Sequence, residues 1–393
     1  MVKDKKVPAL TGIRGVAAVS VLAFHNILPF VSDPSSLVAI KSVLCGFWIG
    51  VDSFFVLSGF LITSIILRAK DSHRFFFVFY MKRAFRILPP YLALLIWGTA
   101  YWYFSSKSAS LSEIFSKTAH FWYLFQNTHV ANFWSSSEVD KFYVSLIGHS
   151  WSLAIEEQFY FIWPLVVYFN PVPRLKKIAV TGLVAVTLWR TYQSVIYYKL
   201  VSTSMLGTAF VIQHFEIYFS TFTRADLLLM GSLLALMYDE NEQSVYFKLN
   251  PLMWIILGVC AFTSSSLIFN PYLPLASSIA HSVGFSIIGL FFFFLIGHLT
   301  TNFSSRISAI FSNRISVRLG RVSYSFYLFH HPITVLFYKH ALEKNGWISG
   351  FSPALQLLMG FTTTLLISYF AAELSWLIIE SPALRLRERL GYT

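Results

Sequence analysis

Apolar stretches long enough to cross a bilayer recur along this 393-residue chain, and that recurrence limits its fold more than any single motif does. They run roughly over 9–30, 43–67, 87–104, 152–170, 178–198, 225–238 with residues upstream, 252–269, 276–300, 322–340 and 353–380. About 20 consecutive apolar residues make a transmembrane helix. Composition agrees: 56% of the residues are hydrophobic and only 12% charged, whereas soluble domains carry about 25% charged residues. The expected fold class is all-α: a polytopic membrane protein of about ten transmembrane helices plus short re-entrant or interfacial segments, forming a single integral membrane domain over residues 1–393. The aromatic segment 119–128 is too short to cross and is expected to be one of the interfacial or re-entrant pieces.

Charge sets the expected orientation. With the N-terminus inside and loops alternating, 21 of the 30 Lys and Arg residues fall on the inner side. That bias follows the positive-inside rule. It places both termini in the cytoplasm and the chain in the cell membrane, inner or plasma. It also accounts for the net charge of +12 without nucleic acid as a partner. Cys45 and Cys260 both lie in apolar stretches, so neither a disulfide nor a metal site is expected. The basic N-terminus leads into a long apolar run with no small-residue cleavage site, which reads as an uncleaved first span.

Within the spans, ionisable residues are the informative ones, because lipid excludes them unless they face the protein interior or a wet cavity. Arg14 and His25 sit eleven positions apart, on one helix face and ~16 Å apart along the axis. An arginine at a helix start also serves as an anchor, and a lone helical histidine commonly bonds a backbone carbonyl. Asp52, inside the second apolar segment, needs a partner and is read as orienting a histidine or an arginine. Ser58-Gly59 permits close helix packing. Arg83 and Arg86 are three apart, a spacing that puts two guanidiniums side by side. Such a pair suits a phosphate, of a ligand or of membrane lipid headgroups.

The fourth span opens with Gly148-His-Ser-Trp-Ser-Leu-Ala-Ile-Glu-Glu-Gln-Phe-Tyr160. His149 and Glu156 share a face, and His149 with Trp151 suits a sugar, which stacks on aromatics and bonds to polar groups. Arg224 and Asp226 read as an ion pair at the start of the sixth span. Tyr327, His330 and His331 fall in the ninth. Both of these last groups read first as structural contacts.

Taken together, the motifs resemble the acyltransferase-3 family of membrane O-acyltransferases. The matching pieces are Leu10-Thr-Gly-Ile-Arg14 followed by His25, Gly50-Val-Asp-Ser-Phe-Phe-Val-Leu-Ser-Gly-Phe60, Arg83 with Arg86, His149-Ser-Trp-Ser-Leu then Glu156, Gln158 and Tyr160, Arg224-Ala-Asp226, and Ser323-Tyr-Ser with Tyr327 and His330. The resemblance implies an enzyme with no permanently bound cofactor. It would move an acyl group, commonly acetyl, from cytoplasmic acyl-CoA to a hydroxyl of a cell-surface carbohydrate or lipid-linked glycan. The resemblance ties His25, Arg14, Arg83 and Arg86 to activity. The residues themselves suit His25 to a catalytic role, as general base or acyl carrier, with Asp52 or Glu156 orienting the ring. Arg14, Arg83 and Arg86 would hold CoA, and His149, Trp151, Tyr327 and His330 the acceptor. Some members carry a C-terminal esterase-like domain, and this chain resembles the stand-alone kind. Other relatives acylate antibiotics or similar small molecules. The rival from another class is a membrane transporter of a sugar or acyl compound, which also carries intramembrane charges.

Overall fold

The structure is a computed structural model that describes residues 7–30, 38–105, 110–122, 124, 125, 127, 145–202, 217–239, 250–268, 274–342 and 346–389. No strand occurs among the described residues. In chain order the helices are α1 (Pro8–Ile27), α2 (Val38–Leu44), α3 (Gly50–Ala69), α4 (Phe75–Ser105), α5 (Leu111–Trp122), α6 (Trp151–Phe169), α7 (Val172–Ser202) and α8 (Thr221–Asp239). They continue with α9 (Pro251–Ile268), α10 (Pro274–Ile279), α11 (Phe285–Thr301), α12 (Arg306–Ser312), α13 (Arg314–Arg321), α14 (Ser323–Ala341), α15 (Pro353–Ser375) and α16 (Ser381–Glu388). A 3₁₀ turn over Cys45–Ile49 leads into α3, and π-helical turns join α10 to α11 and α15 to α16.

Over the described residues, each of the ten apolar segments coincides with helix. Six of the helical stretches described are long and apolar enough to cross a membrane: Pro8–Ile27, Cys45–Ala69, Ile217–Tyr238, Pro251–Ile268, Leu275–Thr301 and Pro353–Glu388. The others, in α4, α6, α7 and α14, carry Trp, Tyr, Pro or charged residues that lower their hydropathy. Phe169, Leu188, Ile255, Phe370 and Leu377 are each more than three-fifths exposed, as side chains facing lipid should be. Helix α5, at 12 residues, is too short to cross. Residues 123, 126 and 128 of the expected interfacial segment lie outside the described ones.

The helices fall into two compact units: residues 1–24, 39–68 and 155–321 in the first, 25–38, 69–154 and 322–393 in the second. In the first unit α3 and α8 cross so closely that backbone meets backbone. A Cβ added to Gly59 would stand 1.9 Å from the Leu228 carbonyl, and one added to Gly231 would stand 1.9 Å from that of Val56. Small residues at a helix crossing give membrane helices their close van der Waals contact, so Gly59 packs as its sequence suggested. Thr63, one turn beyond, accepts from Trp163 Nε1 at 2.8 Å and donates to Ser232 at 2.9 Å, which adds α6 to the crossing.

In the second unit α14 packs along α15, and α16 lies against α4. Asn26, at the end of α1, and Thr364 of α15 bond each other at 3.0 Å. The hydroxyl of Tyr324 donates to the Ile87 carbonyl at 2.9 Å, joining α14 to α4. Tyr91 in turn donates to the Phe121 carbonyl of α5 at 2.7 Å. Helix α4 runs without interruption through Pro89 and Pro90, although two prolines remove two backbone donors from its ladder.

Candidate functional site

Four histidines gather in the second unit. His25 lies in the last turn of α1, His149 in the 3₁₀ turn Gly148–Ser150 that precedes α6, and His330 and His331 midway along α14. The ring centroids of His25 stand 5.0 Å from His330 and 4.4 Å from His331. His149 lies 5.4 Å from His330 and stacks on His331 at 4.8 Å. His149 and His330 are buried. Imidazoles are costly in an apolar interior unless their nitrogens are bonded, and most of the bonds here can be traced.

Those bonds fix the tautomers. Nδ1 of His330 is 2.7 Å from the Tyr327 carbonyl. A carbonyl only accepts, so this nitrogen carries the proton, and in the neutral ring Nε2 is then the acceptor. Nε2 of His330 lies 3.0 Å from Nδ1 of His25. His25 therefore donates from Nδ1, and its own basic lone pair is on Nε2. His149 donates from Nε2 to the Leu328 carbonyl at 3.0 Å. Its Nδ1 is buried and has no partner among the described residues.

Tyr327 holds the histidine turn in place. Its hydroxyl donates to the His149 carbonyl at 2.8 Å and meets Ser152 Oγ at 2.7 Å. Trp151 is buried, at 5% exposure. Of the residues expected to form the site, the structure thus brings His25, His149, Tyr327 and His330 together. It adds His331, which the sequence placed in the same span without a function.

Arg83 and Arg86 lie one turn apart near the start of α4, both half-buried. The Arg83 guanidinium sits over the Phe79 ring, 5.8 Å from its centroid. Burial, together with the Arg387 charge, lowers the pKa of the neighbouring Lys82 ammonium. The start of α4 and α16 thus bring basic groups together, an arrangement that favours an anion. Ile87, which accepts from Tyr324, is next to Arg86. His330 follows Tyr324 by six residues, ~9 Å of helix rise. Arg14 is half-buried on α1, the uninterrupted helix that ends in the turn of His25.

The two carboxylates expected to orient His25 are engaged within the first unit. Asp52 forms a buried ion pair with Arg224 and bonds no histidine among the described residues. An arginine is one of the two kinds of partner expected for an acid in this apolar segment. The Arg224 guanidinium lies 3.9 Å from the Phe285 ring centroid. Glu156 accepts from Ser58 at 2.9 Å and from Tyr160 at 3.1 Å.

Arg224 and Asp226 do not pair with each other, contrary to expectation. Two residues apart on a helix, they point to different sides. Asp226 instead pairs at 2.8 Å with Arg190 of α7, a fully buried residue the sequence reading passed over. Arg190 also donates to the Thr223 carbonyl, Ser286 and the Ser282 carbonyl. A lone arginine in an otherwise apolar span was the available signal. Among the described residues no group of three or more His, Cys, Asp or Glu is arranged to hold a metal ion.

Comparison with known proteins gives a consistent picture. Residues 7–373 match the acyltransferase-3 family, described as an acyltransferase domain. Among curated proteins, the chain is 28% identical to "Putative O-acetyltransferase SACOL0978" of Staphylococcus aureus (strain COL), over 97% of this chain and 58% of that one. It is 26% identical to O-acetyltransferase OatA of Staphylococcus aureus (strain NCTC 8325 / PS 47), with the same coverage. The chain thus spans less than two thirds of the length of the curated relatives it matches. No solved structure matches it.

Proposed function

We propose, from the premise that this chain belongs to the acyltransferase-3 family, that it is a membrane O-acyltransferase with His25 as its chemical centre. The donor is acyl-CoA, with acetyl as the acyl group. The acceptor is a hydroxyl of a cell-surface carbohydrate or lipid-linked glycan. The observation that carries this reading is the His25–His330 bond, 3.0 Å long, within a chain of bonds that ends on the Tyr327 carbonyl.

That chain leaves the lone pair of His25 on Nε2, and the reaction follows from it. As the acceptor oxygen attacks the thioester carbonyl, Nε2 takes its proton, and the imidazolium formed keeps its Nδ1–H bond to His330. The carbon–sulfur bond then breaks. The thiolate takes the proton back, leaving CoA thiol, an ester and a neutral histidine. A base with a near-neutral pKa suits this exchange. The same lone pair can instead attack the thioester and carry the acyl group as an acyl-imidazole before the acceptor arrives.

Arg83 and Arg86 bind the CoA phosphates, because an arginine fork matches phosphate oxygens. Arg14 supports the donor from the far end of the helix that carries His25. The ~9 Å rise from the level of Arg86 to His330 is a distance the pantetheine arm can span. His149, Trp151 and Tyr327 shape the acceptor side. The loop-charge bias supports cytoplasmic termini and a donor arriving from the cytoplasm. Reporter fusions at Thr393 that are active only outside the cytoplasm contradict that orientation.

The test of function uses the purified protein in lipid with acetyl-CoA labelled on the acetyl group, together with mass spectrometry of surface polysaccharide from cells with and without the protein. Label moving to a carbohydrate ester, and ester lost from cells lacking the protein, support the reading. Uptake of a sugar or acyl compound with no thioester cleavage makes the protein a transporter.

A further inference from the structure

The segment between α11 and α14 carries four arginines, Arg306, Arg314, Arg318 and Arg321, and no acidic residue. It forms two short helices, α12 and α13, each with a local reason to form. Ser305 caps α12 by accepting from the Ser308 amide at 3.0 Å, and Asn313 caps α13 by accepting from the Ser316 amide at 2.9 Å. Eight residues of helix rise only ~12 Å, far short of a bilayer.

Helix α13 carries three distinct faces. Ser316 and Gly320 are buried, and they press on the start of α1. A Cβ on Gly320 would stand 1.8 Å from the Thr11 carbonyl, one on Gly15 would stand 2.5 Å from that of Ser316, and one on Gly12 would stand 1.7 Å from that of Phe311. At 100° per residue a second face gathers Arg314, Arg318 and Arg321, all exposed. The third carries Ile315, 74% exposed, beside Leu319. Ile310 of α12 and Phe303 before it are 62% and 61% exposed, and Arg306 of α12 is exposed as well.

We propose that α12 and α13 form a binding surface for the anionic headgroups of membrane phospholipids, with the isoleucines and Phe303 sunk into the acyl boundary and the arginines on the phosphates. Short amphipathic helices with a basic face and a bulky apolar face lie in the interface in this way. The apolar face selects a lipid surface as the occupant over a soluble anion such as CoA, which would need the arginines but would leave Ile310 and Ile315 in water. The glycine contacts add a consequence. Because α13 abuts the first turns of α1 backbone to backbone, headgroups that hold α13 also hold the helix that carries Arg14 and His25.

The test uses the full chain in nanodiscs of phosphatidylcholine, with or without phosphatidylglycerol, and the triple variant R306Q/R314Q/R321Q. Native mass spectrometry counts retained phosphatidylglycerol, and CoA binding is measured in parallel. The expected result is weaker phosphatidylglycerol retention by about fivefold per arginine removed, with CoA affinity in pure phosphatidylcholine unchanged. Equal retention by wild type and variant, or loss of CoA affinity with retention intact, overturns the proposal.

A spin label on Ile315→Cys, in a background of Cys45→Ser and Cys260→Ser, gives a reading that does not depend on the arginine variants. Relaxation of the label by oxygen rather than by a water-soluble nickel chelate supports insertion. The opposite pattern rules it out.

Discussion

Nδ1 of His25 and Nε2 of His330 lie 3.0 Å apart, and the carbonyl 2.7 Å from the other nitrogen of His330 decides which of them holds the proton. In the proposed reaction His330 is therefore a positioning residue for His25. It fixes the tautomer much as a buried carboxylate does in other catalytic sites, but it brings no charge of its own.

The first expected outcome concerns that role. His330→Ala should lower turnover at least ~10²-fold with the donor KM unchanged, because His25 loses control of its tautomer. His330→Gln offers an amide oxygen to the same Nδ1–H and should restore part of the rate. Steady-state kinetics on both variants check this. Equal losses in the two indicate a packing role.

Arg83→Ala and Arg86→Ala should each weaken acyl-CoA binding by about 1.5–3 kcal/mol, the range for a hydrogen bond to a charged group. Lysine replacements should recover only part, since the planar fork is lost. Calorimetry with CoA and with a dephosphorylated analogue measures the difference. Unchanged donor KM in both alanine variants leaves these residues as lipid contacts.

Arg190→Leu should destabilise the protein by about 3–5 kcal/mol, because it strands Asp226 in a fully buried setting. Replacing both Arg190 and Asp226 with leucine should recover most of that loss. Thermal unfolding in detergent reads the pair. No shift with Arg190→Leu alone contradicts the account of this network.

Gly231→Ala should also be destabilising, by about 1–3 kcal/mol, because its Cβ would meet the Val56 carbonyl. Gly258→Ala is the control, since its nearest neighbour would be 3.9 Å away. Equal melting temperatures for the two variants show that α3 and α8 have room to part.

What could be read from the sequence follows physical range. Helix positions were legible, because an apolar run reports its own medium. Gly59 was legible as a packing residue for the same local reason. Pairings were not. His25 and His330 stand 305 positions apart in the chain, and neither residue carries a mark of the other. The requirement that Asp52 have a partner could be derived from its place inside an apolar segment. The choice of Arg224 over a histidine could not, because it depends on how α3 meets α8. Arg190 was passed over as one charge in a long span, and its importance appears only with the four groups it bonds. The two helices at 306–321 were hidden inside a basic stretch, since helices of seven and eight residues are shorter than the window over which periodicity identifies a helix.

The most direct test is single-turnover transfer from labelled acetyl-CoA by purified wild type and by His25→Ala, with CoA affinity and melting temperature measured on the same samples. A positioned base contributes ~10²–10⁴-fold. Transfer by the variant should therefore fall by at least ~10²-fold, with CoA affinity and fold intact. Near-normal turnover in His25→Ala contradicts the account and moves the search for the reacting group to His149 or His331.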